Sequence, residues 1–170
     1  NGGAIGAALT VSSFFNKNFK NCRSPYIGTK YSNHEILSVL KDYNYKNKVS
    51  YEVIDETKLF DLSAKIISEG NIIGWYQDEM EFGPRALGNR SILADPTNPN
   101  MKDIINKKIK RRESFRPFAP VTLKEFRHEW FESNYISQYM SSLSIVKKDK
   151  QKIVPAITHI DGTARVQIVE

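Results

Sequence analysis

Asp55-Glu56-Thr57-Lys58-Leu59-Phe60-Asp61-Leu62-Ser63-Ala64-Lys65-Ile66-Ile67-Ser68-Glu69-Gly70-Asn71-Ile72-Ile73-Gly74-Trp75-Tyr76 reads as one helix, one stop and one strand. Asp55 stands where a helix wants a cap, and Leu59, Leu62, Ile66 and Ile67 recur on one helical face. Gly70 then ends the helix, because glycine alone enters the left-handed conformation at no steric cost. The apolar run at residues 72–76 reads as a buried strand. Upstream, Ser32-Asn33-His34-Glu35 has the spacing of a capping box, followed by Ile36, Leu37, Val39 and Leu40. Residues 49–54 alternate like a strand. Helix, strand, helix, strand opens an α/β domain. The expected architecture is a twisted mixed sheet with flanking helices, with residues 72–76 and 165–169 near its centre.

Beyond the strand comes the stretch built for chemistry: Glu81-Phe82-Gly83-Pro84-Arg85-Ala86-Leu87-Gly88-Asn89-Arg90-Ser91. Asp78 and Glu79 precede it. Glycine lets backbone approach a ligand closely, and proline fixes the entry angle. Arginine offers a planar fork of donors for phosphate or carboxylate. The three acids can orient the arginines or a metal, the first being the preferred role. A polar turn whose arginines simply pair with those acids is the competing reading. The spacing is not that of a P-loop, which needs a lysine and a different glycine pattern. Ser91 has no base within local reach and reads as a turn hydroxyl.

Further on, Asn98-Pro99 reads as a cap followed by proline in the first turn, opening a helix with Met101, Ile104, Ile105 and Ile109 on one side. It runs into Lys107-Lys108-Ile109-Lys110-Arg111-Arg112-Glu113-Ser114-Phe115-Arg116. Cations at a helix C-terminus offset its dipole, which accounts for Lys107 and Lys108. Arg116 lies in Phe115-Arg116-Pro117-Phe118-Ala119-Pro120, which reads as a mostly buried turn, and a buried arginine needs an anionic partner. Residues 121–123 read as a strand, 124–131 as a helix, 134–144 as a loop and 147–152 as a solvated hairpin-like run. Thr158-His159-Ile160-Asp161-Gly162-Thr163-Ala164-Arg165 leads into a last apolar strand, which reads as uncovered.

The chain has 170 residues, 40% hydrophobic and 26% charged, and its net charge is +6. That balance belongs to a globular protein with a real core, and it favours anionic partners. No apolar run reaches membrane-spanning length. Cys22 is the lone cysteine and cannot form an internal disulfide, which fits a cytoplasmic location. The three histidines are scattered, so no metal site is expected. Residues 1–15, rich in small side chains, read as a helix completing a preceding domain. Residues 16–31 read as a polar linker, and 32–170 as the main domain, truncated at its C-terminal end.

Four stretches, in order, resemble the carbamoyltransferases of the nodulation-factor and antibiotic-tailoring type: Gly2-Gly3-Ala4-Ile5-Gly6-Ala7-Ala8-Leu9, Glu81 through Ala94, Phe115 through Pro120, and Asp161-Gly162-Thr163-Ala164-Arg165. The resemblance implies a YrdC-like C-terminal domain that makes carbamoyl-adenylate from carbamoyl phosphate and ATP, with Mg2+. An N-terminal domain of the same full-length chain, carrying iron, would transfer the group to an acceptor hydroxyl. The resemblance further implies that Arg85, Lys110, Arg116 and Arg165 bind the phosphate and carbamoyl groups and serve the chemistry. This sequence lacks the family's later Asn-Thr-Ser-Phe-Asn segment. The rival reading is a basic RNA-binding or tRNA-modification-related module. Against it, the aromatic residues sit in core-like runs and not on an exposed stacking platform.

Overall fold

The computed structural model describes residues 2–15, 24–47, 50–132 and 138–170, with side chains of 44–47 left aside. Cys22, Val49 and the first half of the expected linker, residues 16–23, lie outside the described residues. The chain divides into two compact units, one of residues 1–62 and 74–92 and one of 63–73 and 93–170.

The first unit begins with α1 (Gly2–Phe15), which buries no residue and leaves Val11, Phe14 and Phe15 exposed. The helix α2 (Asn33–Asn47) starts on the capping box read from sequence. Ser32 N–H donates to Glu35 Oε2 at 2.8 Å, and Glu35 N–H donates to Ser32 Oγ at 3.3 Å. Those bonds hold the Glu35 carboxyl below its usual pKa. Residues 50–54 form no strand. The helix α3 (Glu56–Ser68) takes its first bond from the Asp55 carbonyl, while the Asp55 carboxylate pairs in solvent with Lys58 at 3.3 Å.

The stop at Gly70 has a full physical account. Its φ is 84°, its N–H reaches the Ile67 carbonyl at 2.9 Å, and the Asn71 N–H reaches the Ile66 carbonyl at 3.2 Å. That pair of bonds is a Schellman closure, and it delivers the chain into β1 (Ile73–Tyr76). β1 pairs with β2 (Arg90–Leu93). The sequence predicts a buried strand here, but alternate side chains of β1 face solvent, and Tyr76 is 41% exposed. A two-stranded ribbon can cover only one face, so an apolar run need not be buried on both.

The second unit carries the apolar core. Phe131, Val146, Val154, Ile157, Ala164, Val166 and Ile168 form one cluster, and Met101, Ile105 and Ala156 a second, with Phe118 packed against both. Val146 and Val166 are fully buried, each contributing about 1.5–3 kcal/mol of burial. These side chains come from short elements and from the turns between them. α4 (Met101–Ile105) continues directly into a π-helical turn, Asn106–Lys110. β3 (Val121–Leu123) pairs in parallel with β7 (Gln167–Val169). β4 (Phe131–Glu132), β5 (Ser144–Val146) and β6 (Thr163–Ala164) form an antiparallel sheet.

The α/β class therefore holds. The strands described pair in three small sheets, whereas the sequence predicts one. Strands of two to four residues carry too little alternation to reveal their partners. Other elements shift as well. The Asn98 side chain accepts from the Asn100 N–H at 2.9 Å as a local turn, so α4 begins later than the proline suggests. The expected helix at 124–131 shortens to α5 (Arg127–Trp130). The run at 147–152 holds the helical turn α6 (Lys148–Gln151), where Lys150 lies 5.3 Å over the Trp130 ring. The last strand is covered: Gln167 and Ile168 are buried. Among the described residues, no helix is long and apolar enough to cross a membrane.

Candidate functional site

In the first unit, the loop between β1 and β2 is folded around one carboxylate. Glu81 Oε1 accepts from the backbone N–H groups of Leu87 at 2.5 Å, Asn89 at 2.8 Å and Arg90 at 3.2 Å. Oε2 accepts from Arg90 Nε at 2.8 Å, and Arg90 Nη2 donates to the Glu81 carbonyl at 2.8 Å. The Glu81 side chain is fully enclosed while that of Arg90 is 38% exposed. Burial alone would raise the Glu81 pKa. The Arg90 guanidinium and the backbone donors outweigh it and hold the carboxyl down at about 2.

Asn89 extends the scaffold, its Nδ2 donating to the Glu79 carbonyl at 2.8 Å and its Oδ1 accepting from Gln77 at 3.2 Å. Ser91 serves as the turn hydroxyl predicted, accepting from the Gly88 N–H at 3.0 Å. A strap, residues 25–29, closes the back. Phe82 N–H reaches the Pro25 carbonyl at 2.7 Å, Gly28 N–H the Met80 carbonyl at 2.8 Å, and Tyr26 Oη the Leu87 carbonyl at 2.7 Å. A Cβ on Gly28 would lie 2.7 Å from that Met80 oxygen, so the strap needs glycine there. Asp78 pairs in solvent with Lys30 at 3.2 Å. Arg85 rides on the outside of this loop, exposed, with no ion pair among the described residues.

The second unit repeats the device with a neutral side chain. Asn106 is completely buried at the head of the π turn. Its Nδ2 donates to the carbonyls of Arg116 at 3.0 Å and Ser114 at 3.3 Å, and its Oδ1 accepts from Arg112 Nε at 2.7 Å. Arg112 also lies 4.8 Å over the Phe118 ring. Arg111 has φ 49°, a left-handed residue that turns the chain out of the helix.

Arg116 is exposed, which corrects the sequence expectation of a buried arginine. Phe115 beside it is 75% exposed, and the residue held against the aromatic ring is Arg112. Arg116 Nε meets Glu113 at 2.9 Å with both side chains more than half exposed. A solvated pair of this kind contributes little, so an arriving anion can displace Glu113. Lys110, at the end of the π turn, is exposed too.

Arg165 is half-buried between β6 and β7. Near it lies His159, whose Nδ1 is 3.2 Å from Thr163 Oγ1 while Nε2 is buried without a hydrogen-bond partner among the described residues. Thr163 in turn donates to Asp161 at 2.7 Å. Burial lowers the His159 pKa, Asp161 opposes this, and Arg165 and Lys102 push it down further. Among the described residues, no three acids, histidines or cysteines cluster as metal ligands.

Of the four cations singled out in the sequence, Lys110 and Arg116 thus belong to one tied turn, Arg165 follows β6 in the same unit, and Arg85 belongs to the loop of the other unit. The residues that shape these segments, Glu81 and Asn106, carry no mark of that role in the sequence. Glu81 was one of three adjacent acids, and only burial separates it from the others.

A family model described as the carbamoyltransferase C-terminus matches residues 64–170. An uncharacterized protein of Methanocaldococcus jannaschii is 44% identical over 172 residues, covering 99% of this chain and 28% of that protein. Nodulation protein NolO of Bradyrhizobium diazoefficiens is 40% identical over 173 residues, covering 99% of this chain and 31% of its own length. Nodulation protein NolNO of Sinorhizobium fredii is 49% identical over 110 residues, covering 63% of this chain and 16% of its own. The chain spans less than a third of the length of these relatives.

Proposed function

Because the chain belongs to the carbamoyltransferase C-terminal family, we propose that it serves as the part of a carbamoyltransferase that forms carbamoyl-adenylate from carbamoyl phosphate and ATP. The acceptor hydroxyl would be carbamoylated on an N-terminal domain of the same full-length chain, in the cytoplasm. The observation that carries this reading is the division of labour among the arginines. In each unit one arginine is consumed by the scaffold, Arg90 on Glu81 and Arg112 on Asn106. A neighbour, Arg85 or Arg116, is presented outward on the rigid segment so made.

The chemistry asks for such cations. Water first cleaves carbamoyl phosphate to carbamate and inorganic phosphate. A carbamate oxygen then attacks the α-phosphorus of ATP and pyrophosphate leaves, so groups of like charge must be held in line. Fixed guanidinium and ammonium groups offset the charge that develops on the transferring phosphoryl oxygens. Arg85, Lys110, Arg116 and Arg165 are the groups we assign to phosphate and carbamoyl binding. No covalent nucleophile is needed. Magnesium would arrive on the triphosphate, held by phosphate oxygens and water, and would neutralise the leaving pyrophosphate. The test is to give the full-length protein α-labelled ATP and carbamoyl phosphate and to look for labelled carbamoyl-adenylate and stoichiometric pyrophosphate. ATP turned over to ADP, or no dependence on carbamoyl phosphate, would refute the assignment.

One observation favours a second reading. Phe115 is exposed on the same stretch of chain that exposes Lys107, Lys108, Lys110, Arg111 and Arg116, as a base-stacking residue on a cationic track would be. RNA binding that weakens steeply with salt and is lost in Phe115→Ala would support it.

A further inference from the structure

We infer that Asn106 is the positioning residue of the phosphate-reading turn, fixing Lys110 and Arg116 relative to one another without touching the ligand. The inference rests on the carbamoyl-adenylate reading and adds to it the residue that pre-organises the site.

Asn106 uses every hydrogen-bonding group it has. Its two amide hydrogens go to the Arg116 and Ser114 carbonyls, its side-chain oxygen to Arg112 Nε, and its own carbonyl accepts from the N–H groups of Arg111 and Arg112. The Arg111 bond spans five residues and is what makes the turn π-helical. That wider turn inserts one residue, which rotates Lys110 away from the face an α-helix would give it. The other end of the segment is set by the Arg116 carbonyl, held directly by the amide. The amide in turn is anchored to the core, since Arg112 lies over Phe118 and Phe118 packs against both apolar clusters.

The side-chain type matters. A carboxylate here would place a buried negative charge beneath the cations and compete with the ligand for them. An aliphatic residue would leave two carbonyls and a guanidinium nitrogen without partners. An amide supplies two donors and one acceptor with no charge. It holds the turn while leaving the field at Lys110 and Arg116 positive. Pre-organised cations bind an anion without first losing backbone freedom, and that advantage is what Asn106 confers.

The experiment is a double-mutant cycle in the full-length protein, with ATP as the probe and calorimetry as the readout. Asn106→Ala is expected to weaken ATP binding on the order of thirtyfold, comparable to Arg116→Ala, since both forfeit the same charge-assisted contact. The double variant should bind better than the product of the two single effects predicts, by about threefold or more. Asn106→Ser, which drops both amide donors while adding no charge, supplies the cycle should the alanine variant not fold. Effects that multiply in the double variant would mean Asn106 acts independently of Arg116, and wild-type affinity in Asn106→Ala would equally overturn the inference while leaving the carbamoyl-adenylate reading intact. Failure of the wild-type protein to bind ATP would sink both.

Discussion

The Glu81 loop and the Asn106 turn solve one problem with opposite electrostatics. Each is an irregular segment with no sheet or long helix to absorb its backbone groups, and each is folded inward onto one buried polar side chain. Glu81 does so as an anion, gathering three backbone donors and a guanidinium. Asn106 does so as a neutral amide, donating to two carbonyls and receiving one guanidinium nitrogen. The difference follows from what must be satisfied. The first loop presents unpaired N–H groups, which call for an acceptor, and the second presents carbonyls, which call for a donor. It also follows that acid should dismantle one and spare the other.

The largest effect should come from removing the charge at Glu81. Glu81→Gln puts an amide nitrogen or a weaker acceptor where Arg90 and three N–H groups converge. A loss on the order of 3 kcal/mol is expected in urea unfolding. Within about 0.5 kcal/mol of wild type, the carboxylate would not be the organiser.

The acid response is the sharper test of the contrast. A carboxyl depressed from 4.5 to about 2 on folding adds stability that is complete above pH 4.5 and lost as pH falls toward 2. The full shift corresponds to on the order of 3 kcal/mol. Hydrogen exchange at pH 3 should therefore show residues 81–90 opening ahead of 106–116, and Glu81→Gln should flatten this dependence. Equal acid sensitivity of the two segments would break the comparison.

How far the sequence reveals these devices depends on how local they are. The capping box at Ser32 and Glu35 and the stop at Gly70 are legible because all their partners lie within five residues. The Glu81 and Asn106 networks reach nine and ten residues along the chain, and nothing in the spelling separates Glu81 from Asp78 and Glu79. Arg116 looks buried in sequence because Phe115 and Pro117 flank it. In the structure Phe118, not Phe115, faces the core, and it takes Arg112 with it. The helices are legible from their periodicity, whereas strands as short as β4 and β6 owe their pairing to contacts distant in sequence.

Smaller effects attach to single contacts. Arg112→Lys should cost about 1 kcal/mol, since lysine keeps the charge but loses the directed bond to Asn106 and the flat stacking on Phe118. His159 carries a depressed pKa, so its folded form disfavours the imidazolium and stability should decline as pH falls below 6.5. His159→Gln should remove that component, seen as a flatter melting temperature between pH 7 and 5. Lys30→Ala, which breaks the exposed pair with Asp78, should change stability by no more than about 0.5 kcal/mol.

If an outward cation on the tied turn serves adenylation, pyrophosphate exchange into ATP measures it most directly. In the full-length protein the exchange should require carbamoyl phosphate and fall about a hundredfold in Arg116→Ala, a transition-state loss on the order of 3 kcal/mol. Lys102→Ala, on the same helical segment but outside the tied turn, should leave it near wild type. Exchange that proceeds without carbamoyl phosphate, or that survives Arg116→Ala at the wild-type rate, would contradict the account.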